Sequence, residues 1–446
     1  MRGCIESRQN LWYPLAMKVG VISLGCSKNL VDTETMLGHL VRAGHSVCLR
    51  PEQAEVLVVN TCGFINPAKE ESIAAILEAA RYKERGACRV LVVTGCLAER
   101  YRAELPAELP EVDHWLGVRE YEKLPQLLAM SSSLLPPPSS LHAPRVLATP
   151  PWRAYLRIAD GCDNRCAYCA IPLIRGPLIS EPMETLLAEA RRLAEGGVTE
   201  LSVIAQDTSG YGRDIYGEPR LVELLQALHE TPGLRWIRLL YTYPDTVSTR
   251  LIDCLAELPR LVPYLDMPLQ HINDDILRRM LRRGSKAEIC KLLDHLLARH
   301  PDFTLRTTAM VGFPGETQAQ FNELLAFLAD YPFDRVGAFA FSPEEGTKAC
   351  AMPDQVPEEV KQERLARLME AQQPISLARN RRHIGEEALL LIEGAEGETT
   401  VGRTIWHAPE VDGVVTVPRN VRHLPGSYVK VRITGADAYD MRGEEI

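Results

Sequence analysis

Gly161-Cys162-Asp163-Asn164-Arg165-Cys166-Ala167-Tyr168-Cys169 carries three cysteines at the spacing C-x3-C-x2-C. Three thiolates from one loop can hold three irons of a four-iron cluster and leave the fourth iron without a protein ligand. A cluster that only carries electrons normally takes four cysteines. Three ligands keep one coordination position for substrate, as an open catalytic zinc site does. A zinc knuckle would want a fourth Cys or His close by, and the next stretch supplies none. Ordinary core cysteines are the remaining alternative.

Around this loop the chain alternates strands and helices. Ala154–Ile158 reads as a strand that ends on the cysteines, followed by a helix over Thr185–Glu195 and a strand over Glu200–Ile204. Leu234–Tyr241, Tyr264–Asp266, Thr304–Val311 and Arg335–Phe341 read as further strands. Six such units predict a partial, TIM-like (β/α)6 barrel, with reactive loops at the carboxyl ends of its strands. Val356–Arg382 is charged and helical in pattern.

Upstream, Val19–Leu24, Glu55–Asn60 and Arg89–Thr94 are apolar strands separated by helical stretches, with Asp113–Val118 as a further candidate. Continuous apolar strands between helices imply a doubly wound parallel sheet buried on both faces. Three cysteines take matching places: Cys26, Cys62 and Cys96 each follow one of these strands. Ligands bind beyond the carboxyl ends of parallel strands, so neighbouring strands would gather these thiols in one crevice. Gly or Thr flanks each of them and lets the loop turn tightly. Cys26 also precedes a helix whose positive end would stabilise thiolate charge. One buried cysteine is commonly just a small apolar residue, and Cys48, Cys88, Cys254, Cys290 and Cys350 are read that way. Three at matching strand ends point to a second cluster. Cys4 is given no role.

Ser131–Pro150, rich in Ser and Pro, reads as a linker. After Glu387 the texture changes to short strands and turns: Ala388–Glu393, Val401–Trp406, Val411–Val417 and Tyr428–Thr434. These predict a small antiparallel barrel of the OB type. The expected domains are 17–130, 148–373 and 375–446. Residues 1–16 read as a tail, and Met17 as the start of the fold.

Hydrophobic residues make up 46%, enough for several cores, and no apolar run reaches the length of a membrane span. The first residues do not resemble a secretory signal. Twelve cysteines without such a signal point to metal in a reducing, cytoplasmic setting. The net charge of −9 argues against a protein whose main task is to hold phosphates.

A three-cysteine α/β domain, a radical S-adenosylmethionine (SAM) barrel and a terminal β-barrel, in this order, resemble the methylthiotransferase family, whose last domain is called TRAM. Leu24-Gly25-Cys26, Asn60-Thr61-Cys62, Thr94-Gly95-Cys96, the C-x3-C-x2-C loop and Val311-Gly312-Phe313-Pro314-Gly315-Glu316-Thr317 carry the resemblance. It implies two [4Fe-4S] clusters. Cys162, Cys166 and Cys169 would hold the one that cleaves SAM, and Cys26, Cys62 and Cys96 the one that presents sulfur. Tyr168, Gln206, His271 and Arg306 are candidate SAM contacts; each has an ordinary structural explanation as well.

The family has branches. One modifies a tRNA adenosine; another adds a methylthio group to the β-carbon of an aspartate in small-subunit ribosomal protein S-twelve. Gly25-Cys26-Ser27-Lys28-Asn29, Gln206-Asp207-Thr208-Ser209 and Ala408-Pro409-Glu410-Val411-Asp412-Gly413 resemble the second branch. Residues 381–446 hold eight Lys and Arg against eleven Asp and Glu, and an acidic face suits a basic ribosomal protein. Glu410 and Asp412 are therefore expected to dock substrate. The resemblance further implies an electron donor such as flavodoxin and a monomeric enzyme. An iron–sulfur electron carrier and an OB-like RNA-binding protein are rival readings from other classes.

Overall fold

The computed structural model describes residues 16–130, 145–418 and 423–446. Cys4 and most of the expected linker, 131–144, lie outside the described residues. The chain divides into two compact units, Met1–Ala148 and Thr149–Ile446.

The first unit is one parallel sheet. Its strands are β1 (Lys18–Ser23), β2 (Ser46–Val47), β3 (Val56–Thr61), β4 (Val90–Gly95) and β5 (His114–Trp115), in the order β2-β1-β3-β4-β5. Alternation along the strands feeds two cores. Leu57, Val59, Leu91 and Val93 pack with Ile76 and Ala79 of the helix Asn66–Arg85. Val56, Val58 and Val92 face Met36 and Leu40 of the helix Ser27–Arg42, together with Leu124 and Leu128. Burial on both faces is why these strands read as unbroken apolar runs. This is the doubly wound order whose crevice opens between β1 and β3. β2 escapes the sequence reading because two exposed residues, Ser46 and Val47, leave no apolar period. The candidate strand at Asp113–Val118 shrinks to two residues.

The second unit begins with β6 (Arg153–Arg157) and a small antiparallel pair, β7 (Ala159–Asp160) and β8 (Ile179–Ser180). β9 (Glu200–Ile204), β10 (Trp236–Leu239), β11 (Tyr264–Asp266), β12 (Thr304–Val311) and β13 (Arg335–Ala340) follow. The parallel sheets β10-β9-β6 and β11-β12-β13 are joined through an Ile237–Leu261 bridge, so six strands run in sequence order. The helix Glu358–Arg381 leads to a closed barrel of β14 (Glu387–Glu396), β15 (Thr399–Arg403), β16 (Val415–Pro418), β17 (Tyr428–Ala436) and β18 (Met441–Glu445). Its order β14-β15-β16-β18-β17, with β16 parallel to β18, is a five-stranded Greek-key closure. The sequence reading has four strands; β18 is missed because Met-Arg-Gly-Glu-Glu buries only Met441 and Gly443.

The terminal barrel sits against the amino ends of the core strands. Glu200, first in β9, is fully buried and takes Arg403 of the terminal barrel at 2.6 Å and Arg238 of β10 at 3.4 Å. Burial alone would raise the Glu200 pKa, yet Arg403 and Arg238 hold it below the ordinary range. Arg153, first in β6, pairs with Glu410 at 2.8 Å, and Tyr155 donates to the same carboxylate. Tyr264, first in β11, donates to Asp412 at 2.7 Å. Glu410 and Asp412 thus tie the terminal barrel to the core. This corrects their expected use as docking acids.

His407 lies buried in the same junction, its Nδ1 3.0 Å from the Thr404 hydroxyl. Burial, and then Arg335, Arg403 and Arg238, keep its pKa well below the ordinary value. The unfolded chain binds this proton near pH 6.5 and the folded chain does not. Stability is therefore lost as pH falls below that value. His407→Gln should flatten the slope of stability against pH below about 6.5 in urea unfolding at stepped pH.

Candidate active site

In the first unit the three cysteines stand at adjacent strand ends. Cys26 caps the helix Ser27–Arg42, and Leu30 donates to its carbonyl at 3.0 Å. Cys62 follows β3, and Cys96 opens the short helix Cys96–Arg100 after β4. β1 pairs with β3 and β3 with β4, up to Ser23–Asn60 and Thr61–Gly95.

Glycines bring the loops together. A Cβ on Gly25 (φ +87°) would stand 3.1 Å from the Cys62 sulfur. One on Gly63 would stand 2.9 Å from the Cys96 carbonyl carbon, and one on Gly95 (φ +95°) 2.5 Å from the Thr61 oxygen. Asn29 clamps the group: its Nδ2 donates to Leu24 O at 3.0 Å and Thr61 O at 2.8 Å, and its Oδ1 accepts from the Cys96 thiol at 3.4 Å. Asn29 is a residue the sequence reading used only as a branch signature.

In the second unit the loop after β6 and β7 carries Cys162, Cys166 and Cys169. Gly161 (φ +74°) passes so close to the Pro177 carbonyl that a Cβ would meet it at 2.0 Å. The loop's other polar groups are spent on its own shape. Asp163 accepts from Leu178 N at 3.2 Å, and Asn164 donates to Asp207 at 2.7 Å. Burial pushes the Cys162 thiol up to about 11 and the Cys169 thiol up to about 12. Loading metal must therefore release protons here.

Both triads consist of soft thiols alone, the donor set that suits iron–sulfur clusters. Among the described residues no three His, Cys, Asp or Glu groups converge tightly enough to share one metal ion. A cubane asks for something else, since each thiolate binds a different iron. Loops that only glycine can bring this close, each presenting a thiol, match that demand.

The other expected contacts separate. Gln206 follows β9 and donates through Nε2 to Asp160 at 2.9 Å, while its buried Oε1 has no hydrogen-bond partner among the described residues. Asp160 is held in turn by Arg175 at 3.0 Å. The Tyr168 ring packs beside Ile276, Met280, Phe313 and Phe341, and its hydroxyl accepts from Arg282 at 3.0 Å. His271 is fully buried; Nδ1 accepts from Asn273 N at 3.0 Å, and Nε2 lies 3.6 Å from Glu316. Glu316 also pairs with Arg364 at 3.3 Å and takes Gly312 N, which fixes the glycine-proline turn after β12.

Arg306 departs from the expected position. It is the third of eight residues in β12 and points its charge to Asp266 at 3.0 Å and Asp412 at 3.8 Å. It therefore belongs to the amino-end junction with the terminal barrel. A one-sequence reading placed the strand correctly but could not tell which half of it the reaction uses.

Arg282 and Gln270 were missed. Arg282 is buried beside Cys166, 4.0 Å from its sulfur, with Tyr243 under its guanidinium at 4.2 Å. Its hydrogen bonds go to Tyr168 and Pro268, and no carboxylate among the described residues is within ion-pair distance. Gln270 has φ +69° and a buried Oε1 without a hydrogen-bond partner among the described residues. Neither residue lies in a motif that the sequence reading singled out.

Three family models match this chain. Residues 18–117 match Uncharacterized protein family UPF0004, residues 156–328 the radical SAM superfamily, and residues 384–446 the TRAM domain. Among solved structures, the radical S-adenosylmethionine methyltransferase TsrM from Kitasatospora setae superposes with a TM-score of 0.52, covering 86% of this chain and 82% of its own. The cobalamin-dependent S-adenosylmethionine radical enzyme OxsB reaches 0.50, over 80% of this chain and 56% of its own. At 12% identity both bear on fold alone. The ribosomal protein uS12 methylthiotransferase RimO of Geobacter sulfurreducens is 45% identical over 96% of this chain and 98% of its own. The protein of that name from Pelotomaculum thermopropionicum is 48% identical over 97% of this chain and 100% of its own. On that end-to-end similarity, the chain belongs to the RimO family of methylthiotransferases.

Proposed function

We propose that this protein adds a methylthio group to the β-carbon of an aspartate in ribosomal protein uS12. The observation that carries the reading is a pair of all-thiol triads, each at the carboxyl ends of a parallel sheet, in a chain that aligns end to end with relatives of that name. Two [4Fe-4S] clusters and SAM, when bound, supply a carbon radical for hydrogen abstraction and the sulfur and methyl to be added. The residues of this chain hold and orient those groups.

Cys162, Cys166 and Cys169 take the SAM-cleaving cluster, and Cys26, Cys62 and Cys96 the sulfur-presenting one. The buried guanidinium of Arg282 lacks an anion and lies beside Cys166, so it serves the carboxylate of SAM. Gln206 and Gln270 offer buried carbonyl oxygens to hydrogen-bond donors on the same ligand. Arg282→Met should weaken SAM binding about 10-fold or more in equilibrium dialysis, as loss of a buried charge-assisted contact does, while iron content stays intact.

The division into working domains at 17–130, 148–373 and 375–446 is part of this reading. So are a cytoplasmic setting, a small donor such as flavodoxin, and a monomeric state. With Asp412 buried and Glu410 tied to Arg153 and Tyr155, substrate docking falls to exposed acids such as Glu396 and Glu398. No helix among the described residues is long and apolar enough to cross a membrane. Mass spectrometry of ribosomal proteins and tRNA, from cells with and without the gene, tests the substrate. Loss of methylthio-aspartate from uS12 is expected. A change confined to tRNA adenosines would overturn the assignment.

A further inference from the structure

The three thiols of the C-x3-C-x2-C loop do not receive the same support. The Ile171 amide donates to the Cys169 sulfur at 3.4 Å, and the Asn164 amide hydrogen-bonds the Cys162 sulfur. No backbone amide among the described residues reaches the Cys166 sulfur. Its polar neighbours are side chains: the Tyr243 hydroxyl at 3.6 Å and the Arg282 guanidinium at 4.0 Å.

Tyr243 comes from the loop after β10, and that loop is built to present it. Tyr241 has φ +62°, a left-handed conformation that a bulky residue keeps only where its surroundings hold it. Asp266 does so. Its carboxylate accepts from Tyr241 N at 2.9 Å, and its carbonyl accepts from the Thr242 amide at 3.0 Å and the Thr242 hydroxyl at 2.7 Å. Tyr243 N then donates to Ser209 Oγ at 2.9 Å, and the Thr246 hydroxyl donates to the Tyr243 carbonyl at 2.9 Å. The side chain itself is buried. Arg282 and Arg283 lie over its ring at 4.2 Å and 5.6 Å and keep it in place. Strain held by such a network, next to a metal ligand, is a mark of function.

We propose that Tyr243 is a positioning residue for the cluster held by Cys162, Cys166 and Cys169. Its hydroxyl donates to the Cys166 thiolate in place of a backbone amide and raises the reduction potential of that cluster. The inference rests on the cluster assignment made above. A cysteine that binds iron has given up its proton, so only the phenol has a hydrogen to share. One electron from an external reductant adds negative charge that the cluster sulfurs share, and a hydrogen bond to one of them then strengthens. The reduced form gains more than the oxidised form. Hydrogen bonds to sulfur are among the influences that set such potentials.

The test uses Tyr243→Phe in the full chain, on a background in which Cys26, Cys62 and Cys96 are replaced by Ala so that one cluster remains. Phe keeps the ring and its place under Arg282 and removes only the hydroxyl. Electron paramagnetic resonance at stepped potential measures the reduction midpoint. It should fall by about 59 mV, a tenfold shift in the one-electron equilibrium, while iron content stays at about four. Tyr168→Phe is the comparison, since the Tyr168 hydroxyl bonds Arg282; its midpoint should move far less. An unchanged midpoint in Tyr243→Phe would overturn the proposal. So would an equal fall in both variants, which would assign the effect to Arg282, and so would loss of iron with an unchanged midpoint, which would make the contact purely structural. Failure of the background chain, with Tyr243 intact, to hold about four irons would instead overturn the cluster assignment beneath it.

Discussion

Anaerobically reconstituted protein should bind about eight irons, four for each cluster. Replacing Cys162, Cys166 and Cys169 with Ala should remove about half and abolish SAM cleavage. Replacing Cys26, Cys62 and Cys96 should remove the other half, spare part of the SAM cleavage and abolish methylthio transfer. The two triads sit on different sheets in different compact units, so each replacement should leave the other site's local packing in place. Iron analysis together with product analysis separates the roles. An iron count unchanged by the second replacement would refute a cluster at the β1, β3 and β4 ends.

The second large effect concerns the junction beneath the core. Glu200→Ala should cost about 3–5 kcal/mol, because it leaves Arg238 and Arg403 buried without their shared carboxylate. Glu410→Ala should cost about 1 kcal/mol or less, since its ion pair is half exposed. Urea unfolding of the two variants measures the contrast. By the same reasoning, removal of residues 384–446 should destabilise the core itself, because it strips the partners of Arg153, Glu200, Arg238, Tyr264 and Arg306. A truncated chain that kept the unfolding midpoint of the whole would show that the terminal barrel is an appendage. These outcomes bear directly on how terminal truncations are interpreted: loss of uS12 modification after such a cut would report a weakened core as well as a missing docking surface.

Much was legible in the chain because periodicity and local spacing are properties of sequence. β11 and β12 appear over the residues expected, and the all-parallel order follows from apolar runs that must be buried on both faces. The C-x3-C-x2-C loop announces an open-ligand site because all three donors come from one short segment. The triad of Cys26, Cys62 and Cys96 could be inferred only by assuming that three strands are neighbours. The pairing of β1 with β3 and of β3 with β4 supplies that adjacency.

Other features depended on the tertiary structure alone. Glu410, Asp412 and Arg306 look in sequence like surface charges or ligand contacts; partners up to hundreds of residues away turn them into a structural junction. No motif marks Arg282 in the sequence, and its burial next to Cys166 makes it a charge in need of an anion. The physical reason is the same in each case. A backbone pattern is dictated by neighbours within a few residues, whereas the worth of a charge depends on which opposite charge, or which dry wall, the fold brings beside it.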